Sequence, residues 1–364
     1  MSFLLNKLDR WIYDSFPLNA EQLGFYRITY GIFIIFILGT PSVRWIAPMH
    51  DGMFHPPHPS IASLAFSGFL PYPILYTIDL LVIIFAFGIL FGVKTRTSSV
   101  LFTATIVFGK SFEYSLGKIN HDFIVYLVPA ILAFANWGQA YSFDARKNKT
   151  SIAMWPITLM CVILGFSIFT SGWPKLMAHW LSFETLAVKG KLFTNYFVQD
   201  RQDLLAGFWI NVQSPLIWEM NDWAAVLLEL AFLPAVFFPR MMRVLIGWIM
   251  LFHTMVLFML NIVFVPIYII YLLIAWPVIP LPTQKIEAIF KRFQWKHALA
   301  IFITYLVARG IFLLPVTLWG LFDRIPVTYL LPMLINLAGI VLVIFLTRKA
   351  LGRTFRLAST HPDK

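Results

Sequence analysis

Long apolar segments, separated by short stretches of charged residues, glycine and proline, run through most of the chain. About 20 consecutive apolar residues cross the hydrocarbon core of a bilayer as a helix, so the pattern predicts transmembrane helices. Ten spans are predicted, at approximately Leu23–Thr40, Pro73–Phe91, Ser98–Leu116, His121–Trp137, Ile152–Trp173, Asp222–Phe238, Val244–Leu260, Val263–Ile279, Ala298–Leu318 and Val327–Leu346. The seventh and eighth form one apolar stretch, which we divide near Asn261 because it is too long for one ordinary span.

Two longer segments between the spans are too polar to cross a membrane. Pro41–Tyr72 contains proline-rich turns and an amphipathic piece, Ile61–Phe69, and Ala178–Asn221 mixes charged residues with Leu, Phe and Trp. Amphipathic segments of this kind lie along a membrane surface. We therefore predict interfacial or partly re-entrant helices that fold back and cap the bundle on its outer face.

Composition agrees with an all-α, polytopic integral membrane bundle. Hydrophobic residues make up 59% of the 364 residues and charged residues 12%, whereas soluble domains carry about a quarter charged residues. The single cysteine, Cys161, excludes an intramolecular disulfide framework. We predict one domain over residues 1–364 with about nine or ten transmembrane helices. Its main partner is the lipid bilayer, and no nucleic acid is needed to explain its net charge of +11.

The distribution of Lys and Arg predicts the orientation. If the N-terminus is cytoplasmic, 18 of the 28 basic residues fall in cytoplasmic loops and tails, seven on the other face and three within spans. Positive charge concentrates on the cytoplasmic side of membrane proteins. Both termini are therefore predicted to be cytoplasmic, in a multi-pass protein that we expect in a bacterial inner membrane.

The fifth span ends in the sequence Gly172-Trp173-Pro174-Lys175. Proline cannot continue a helical hydrogen-bond ladder and disfavours helical geometry in the preceding residue, so the helix is predicted to stop near Trp173. Lys175 then lies at the end of a transmembrane helix, close in sequence to Trp173 and Trp180. A charge at this depth is a candidate for function. A lysine that snorkels to water beside a tryptophan belt explains the same pattern.

Under this topology, polar residues from several spans converge toward the outer end of the bundle. They are Lys110, Glu113, Lys118, Asn120, His121, Asp122, Lys175, Glu229, His253 and Asn261. Such convergence predicts a polar cavity that opens outward.

Several polar residues also have a purely structural interpretation. Asn120 suits a helix N-cap, and His253 suits a hydrogen-bonded core histidine. Lys110 and Glu113, three residues apart, suit a pair on one helix face. Arg27 in the first span suits a tether for backbone carbonyls or lipid phosphates.

A loop with His50, His55 and His58 lacks helical metal-ligand spacing and a cysteine partner, so no metal site is predicted.

Five segments, in order, resemble the horizontally transferred transmembrane (HTTM) superfamily, which includes vitamin K-dependent γ-glutamyl carboxylases. The resemblance covers about residues 20–280, and residues 281–364 add further spans and a basic cytoplasmic tail. The segments are LGFYRITYGIFIIF from Leu23, GILFGVKTRTSSVLF from Gly88, NHDFIVYLVPAILAFANWGQAYSFD from Asn120, FTSGWPKLMAHW from Phe169 and FHTMVLFMLNIVFVPIYII from Phe252.

The resemblance implies a reaction centre at the outer end of the bundle. Lys175 would be the base that deprotonates a reduced quinone of the vitamin K or menaquinone kind, with O2 and CO2 as co-substrates. A lysine acts as a base when it is neutral, and apolar surroundings favour that form. The catalytic residues implied are Lys175, His121 and Asn120. The cofactor-binding residues implied are His253, Asn261, Trp173 and Trp180, and no metal is expected.

Two functions remain open on the sequence. The first is a quinol-linked carboxylase or epoxidase, of the carbon–carbon lyase type, acting on a peptide or protein. The second is a non-enzymatic membrane protein for the maturation or export of a peptide, so enzymatic activity itself is left open. A transporter has less support, because no inverted repeat with broken helices is visible.

Overall fold

The computed structural model describes residues 2–117, 123–146, 151–275 and 282–310, together with Leu337 and Val341. These residues form helices and loops, and they contain no strand. The α-helices are α1 (Ser2–Asp14), α2 (Ala20–Ile32), α3 (Ile61–Ala65), α4 (Tyr72–Phe91), α5 (Thr95–Glu113), α6 (Phe123–Leu132), α7 (Trp155–Met177), α8 (Ala187–Phe193), α9 (Ala206–Trp209), α10 (Pro215–Ala235), α11 (Pro239–Leu260), α12 (Tyr268–Ala275), α13 (Thr283–Arg292) and α14 (Trp295–Gly310).

The all-helical class is confirmed, while the number of spans stays a prediction. Among the described residues, α4, α7 and α11 are long and apolar enough to cross a membrane. The division near Asn261 is confirmed, because this residue adopts a left-handed φ of 52° and caps the end of α11. The tenth predicted span, Val327–Leu346, lies outside the described residues apart from Leu337 and Val341.

The predicted end of the fifth span is wrong. Instead of stopping near Trp173, α7 continues through Pro174 to Met177. Proline is costly inside a helix because it removes one hydrogen bond and crowds the preceding turn. Here Pro174 begins the last turn, and its carbonyl still accepts a hydrogen bond from the Ala178 amide at 2.9 Å. Lys175 is therefore held on the helix rather than in the loop after it.

The chain forms two compact units. Unit one comprises Met1–Met160 and Ile279–Thr328, and unit two comprises Cys161–Val278 and Tyr329–Lys364. The boundary falls within α7, after Met160. Our prediction of a single domain stays a prediction.

In unit one, a buried arginine joins three segments of the chain. The guanidinium of Arg27 donates hydrogen bonds to the carbonyls of Ile89 and Leu90, at 2.5 and 2.6 Å, and to that of Tyr141 at 2.5 Å. The carbonyl tether suggested by the sequence is thus confirmed. It adds donors at the end of α4, where the last carbonyls of a helix lack intrahelical partners and the Gly92 amide reaches that of Ile89 at 3.1 Å.

The loop after α6 is fixed to α5 by a carboxylate. Asp144 accepts hydrogen bonds from the amides of Lys94 and Thr95, at 3.0 and 2.6 Å, and from the Thr95 hydroxyl at 2.7 Å. A carboxylate at the start of a helix satisfies free N–H groups and complements the helix dipole. Asp144, the last residue of the segment from Asn120 to Asp144, therefore connects the loop after α6 to the start of α5.

In unit two, two glycines bring α7 and α10 close together. A Cβ atom at Gly165 would lie 2.4 Å from Val236 Cγ2, and one at Gly172 would lie 2.9 Å from Glu229 Cβ and 3.2 Å from the Leu230 nitrogen. Small residues allow helices to approach closely in membranes, where van der Waals packing rather than the hydrophobic effect drives helix association. The two glycines, one heptad apart, define the contact line of this pair.

We expect Gly172→Ala to destabilise unit two. In most helices alanine is better than glycine by about 1 kcal/mol, but here its methyl group must push α10 away, which costs about 1–3 kcal/mol. Thermal unfolding of the purified protein measures the effect. Gly190→Ala in α8 is the matched control, because a Cβ there meets no atom within 4 Å. Equal melting temperatures for the two variants would contradict this account of the contact.

Both outer segments pack on the ends of helices in their own units, as predicted. In unit two, Val188, Leu192 and Trp218 form a buried cluster with Val256 and Leu260 of α11. In unit one, Phe54 and Phe66 pack on Phe112 of α5, with ring centroids 6.0 and 5.0 Å away. The helix expected over Ile61–Phe69 is shorter, because α3 ends at Ala65 and Phe66 is extended. The placement of both segments at a membrane surface stays a prediction.

Candidate functional site

Lys175 forms an ion pair with a glutamate of another helix. Its Nζ lies 2.6 Å from both carboxylate oxygens of Glu229 in α10. The Lys175 side chain is 23% exposed and that of Glu229 is 9% exposed. Gly172, one turn before Lys175, lies against Glu229 and allows the two helices to approach. The amine thus has a charged partner, rather than the purely apolar pocket expected from the sequence.

The two predicted tryptophans have different positions around this pair. Trp180 lies over the lysine, with Nζ 5.2 Å from the centre of its ring, a distance typical of cation–π contacts. Trp173 stacks on Phe169 at 5.8 Å between ring centroids, and it is 48% exposed. The structure therefore brings Trp180 to Lys175, and the cofactor-binding role of both tryptophans stays a prediction.

His253 belongs to an aromatic cluster in unit two. Its ring is 7% exposed and stacks on Phe264, with centroids 4.0 Å apart and an interplanar angle of 11°. Tyr268 and Tyr271 lie 6.1 and 6.0 Å from it. The histidine is a core residue packed against aromatic rings, which agrees with the core position in its structural interpretation, while the hydrogen bond in that interpretation stays a prediction. Whether it also contacts a cofactor stays a prediction.

Tyr271 belongs to the same aromatic cluster, with its ring centroid 6.0 Å from that of His253. It is fully buried, and its hydroxyl has no hydrogen-bond partner among the described residues. A buried polar group without a partner is rare and calls for an explanation, such as a bound molecule. Sequence analysis missed Tyr271, because a tyrosine within an apolar helix carries no signal of its own.

Asn261 connects the outer segment of unit two to α11. Its side-chain amide donates to the carbonyls of Asp203 and Leu257, at 3.0 and 3.2 Å, and its Oδ1 accepts from the Asp203 amide at 3.0 Å. Both amide hydrogens are used within the protein. The cofactor-binding role predicted for Asn261 stays a prediction, and the observed role is structural.

The remaining predicted residues belong to unit one. Asn120 and His121 lie outside the described residues, so their predicted catalytic role is untested. Lys110 and Glu113 form the expected ion pair on one face of α5, at 2.7 Å. In the loop that contains His50, His55 and His58, His50 Nδ1 accepts a hydrogen bond from the Gly52 amide at 2.9 Å.

Comparison with known proteins gives one match. A family model described as the HTTM domain matches residues 16–279, which include Lys175, Glu229, His253 and Tyr271. No curated protein and no solved structure matches the chain.

Proposed function

The chain belongs to the HTTM family, and from this membership we propose that it is a quinol-linked membrane enzyme, a carboxylase or epoxidase, with Lys175 as its base. The observation that carries the proposal is the ion pair between Lys175 and Glu229. It combines a partly exposed amine with a buried carboxylate inside the matched region.

The pair provides a way to make the amine neutral. An ammonium in contact with a carboxylate can pass its proton to that carboxylate, which leaves a neutral amine and a carboxylic acid with no net charge. Burial favours the uncharged form of a carboxyl group. Glu229, the more buried partner, would thus store the proton while Lys175, the more exposed partner, meets the substrate.

In this state the amine can accept a proton from an acidic hydroxyl. The pair then carries a single positive charge on Lys175, directly beside the anion that remains. A fixed charge at this position stabilises the developing negative charge, since the surrounding protein excludes most water. Trp180 covers the ammonium and helps to exclude water from it.

An aromatic cluster in the same unit suits a planar ligand with oxygen atoms at its edge. Rings of His253, Phe264 and Tyr268 form a stacked aromatic cluster, and Tyr271 has a hydroxyl that lacks a partner among the described residues. A bound hydroquinone supplies an acidic hydroxyl and two reducing electrons. Lys175, Tyr271 and His253 would hold it, with O2 and CO2 as the predicted co-substrates.

The test uses the full-length protein in nanodiscs. We expect a quinone to be found by mass spectrometry of the extracted lipids, and added vitamin K hydroquinone to cause oxygen uptake above that of empty nanodiscs. Glu229→Gln should lower this uptake by about 10²-fold or more, because the amide cannot store the proton. Glu184→Gln, an exposed position in the same unit, should leave uptake unchanged.

Two outcomes would contradict the proposal. One is the absence of both a copurified quinone and hydroquinone-dependent oxygen uptake. The other is a copurified peptide without any quinone, which would favour the maturation or export function instead.

A further inference from the structure

A small cavity in unit one is lined by two arginines. Its volume is about 180 Å³, and its lining includes Arg44, Tyr76, Asp79, Leu80, Leu306 and Arg309. We propose that this cavity is a binding site for a phosphate group, with Arg44 and Arg309 as its ligands. All of these residues belong to unit one, so the proposal is independent of the Lys175–Glu229 pair.

Arg309 is held rigidly in the last turn of α14. Its Nη1 donates to the hydroxyls of Thr40 and Tyr305, the latter at 2.9 Å. Both partners are buried, with exposures of 4% and 3%. Its Nη2 also donates to the Thr40 carbonyl at 3.5 Å. A guanidinium carries five N–H donors, so donors remain for a ligand at the cavity.

Arg44 approaches the cavity from the segment after the first span. Its guanidinium lies over the ring of Tyr76, 5.6 Å from the centroid, and its Nε lies 3.6 Å from Asp79 Oδ2. This separation is too long for a hydrogen bond. The Arg44 side chain is 36% exposed, so the cavity is accessible from the protein surface.

Asp79 cannot neutralise both arginines. Its carboxylate accepts hydrogen bonds from the Ser42 hydroxyl at 2.5 Å and from the Val43 amide at 2.7 Å. Two guanidinium groups and one carboxylate leave one positive charge, and no second acidic residue of the described chain lines the cavity. This net positive charge favours an anionic ligand in the cavity.

The chemistry of the lining favours phosphate. Guanidinium groups bind phosphate oxygens through paired N–H donors, and arginine is the preferred side chain for this recognition. A water molecule takes up about 30 Å³ in the liquid, so this cavity has room for several waters or for one phosphate group. The phosphate has two sources, a soluble ion or the headgroup of a phospholipid.

Two measurements on the purified full-length protein distinguish these sources. The first is thermal unfolding in detergent as inorganic phosphate is added at constant ionic strength. The second is native mass spectrometry from nanodiscs of phosphatidylglycerol, which counts the phospholipids that stay bound. Stabilisation by phosphate identifies a soluble ligand, and retention of phospholipid alone identifies a headgroup.

The variants decide whether Arg44 forms the site. We expect Arg44→Gln to weaken the observed binding at least tenfold, and Arg44→Lys to weaken it less because the charge remains. Lys94→Gln, an exposed basic position outside the cavity, should bind like the natural protein. Circular dichroism checks that the variants fold. Absence of binding in both measurements, or equal binding by Arg44→Gln and the natural protein, would overturn the proposal.

Discussion

Lys175→Arg is expected to abolish hydroquinone-dependent oxygen uptake while the protein remains folded. Arginine keeps the positive charge and the ion pair with Glu229, so the contact between α7 and α10 should survive. A guanidinium does not give up its proton in proteins, so no neutral base can form. The loss should be about 10²–10⁴-fold, the contribution of a positioned proton acceptor.

Lys175→Ala and Lys191→Arg complete this experiment. The alanine variant should lose the same activity, and it also leaves Glu229 without its partner, so a lower melting temperature is expected as well. Lys191 is exposed in α8 of the same unit, and its exchange for arginine should change neither property. If Lys175→Arg retains full uptake, the residue is a membrane anchor and the proposed base is wrong.

Arg27→Met is expected to cause the largest loss of stability in unit one. The variant removes donors from the carbonyls of Ile89, Leu90 and Tyr141 in a fully buried place. The Ile89 carbonyl keeps a hydrogen bond from the Gly92 amide, so two carbonyls are left without a partner. Each costs about 1–3 kcal/mol, so a total loss of about 2–6 kcal/mol is expected. Thermal or denaturant unfolding of the purified protein measures it.

Two further variants show whether the geometry of Arg27 matters. Arg27→Lys should recover only part of the stability, because one ammonium cannot reach three carbonyls as the guanidinium fork does. Arg96→Met is the matched control, since Arg96 is exposed and its guanidinium lies over the ring of Phe134, 5.3 Å from the centroid. A loss at position 27 no larger than that at position 96 would be inconsistent with the tether.

Features that depend on neighbouring residues could be predicted. The apolar segments gave the helical class, and the turn at Asn261 was located because an apolar stretch of that length must break. The Lys110–Glu113 pair followed from a separation of three residues, which places two side chains on one helix face. The predicted end of the fifth span was wrong because it rested on the proline alone. The cost of a proline depends on its position within the helix, and Pro174 lies in the last turn of α7.

The ion pair of Lys175 shows what the sequence could not provide. Both residues were expected toward the outer end of the bundle, but their contact spans 54 positions of sequence and depends on how α7 packs against α10. The same holds for Arg27, whose carbonyl partners lie 62 to 114 residues away.

The sequence by itself determined that this chain is a helical membrane protein and which of its polar residues are exceptional. Hydrophobicity and conformational preference belong to each residue and its neighbours in sequence, so they can be predicted without knowledge of the fold. Only the tertiary structure decided that Glu229 pairs with Lys175, that Tyr271 packs beside His253, and that Arg44 and Arg309 share a cavity. Such contacts depend on how the helices pack. Between α7 and α10, for example, Gly172 allows the close approach that brings Lys175 to Glu229.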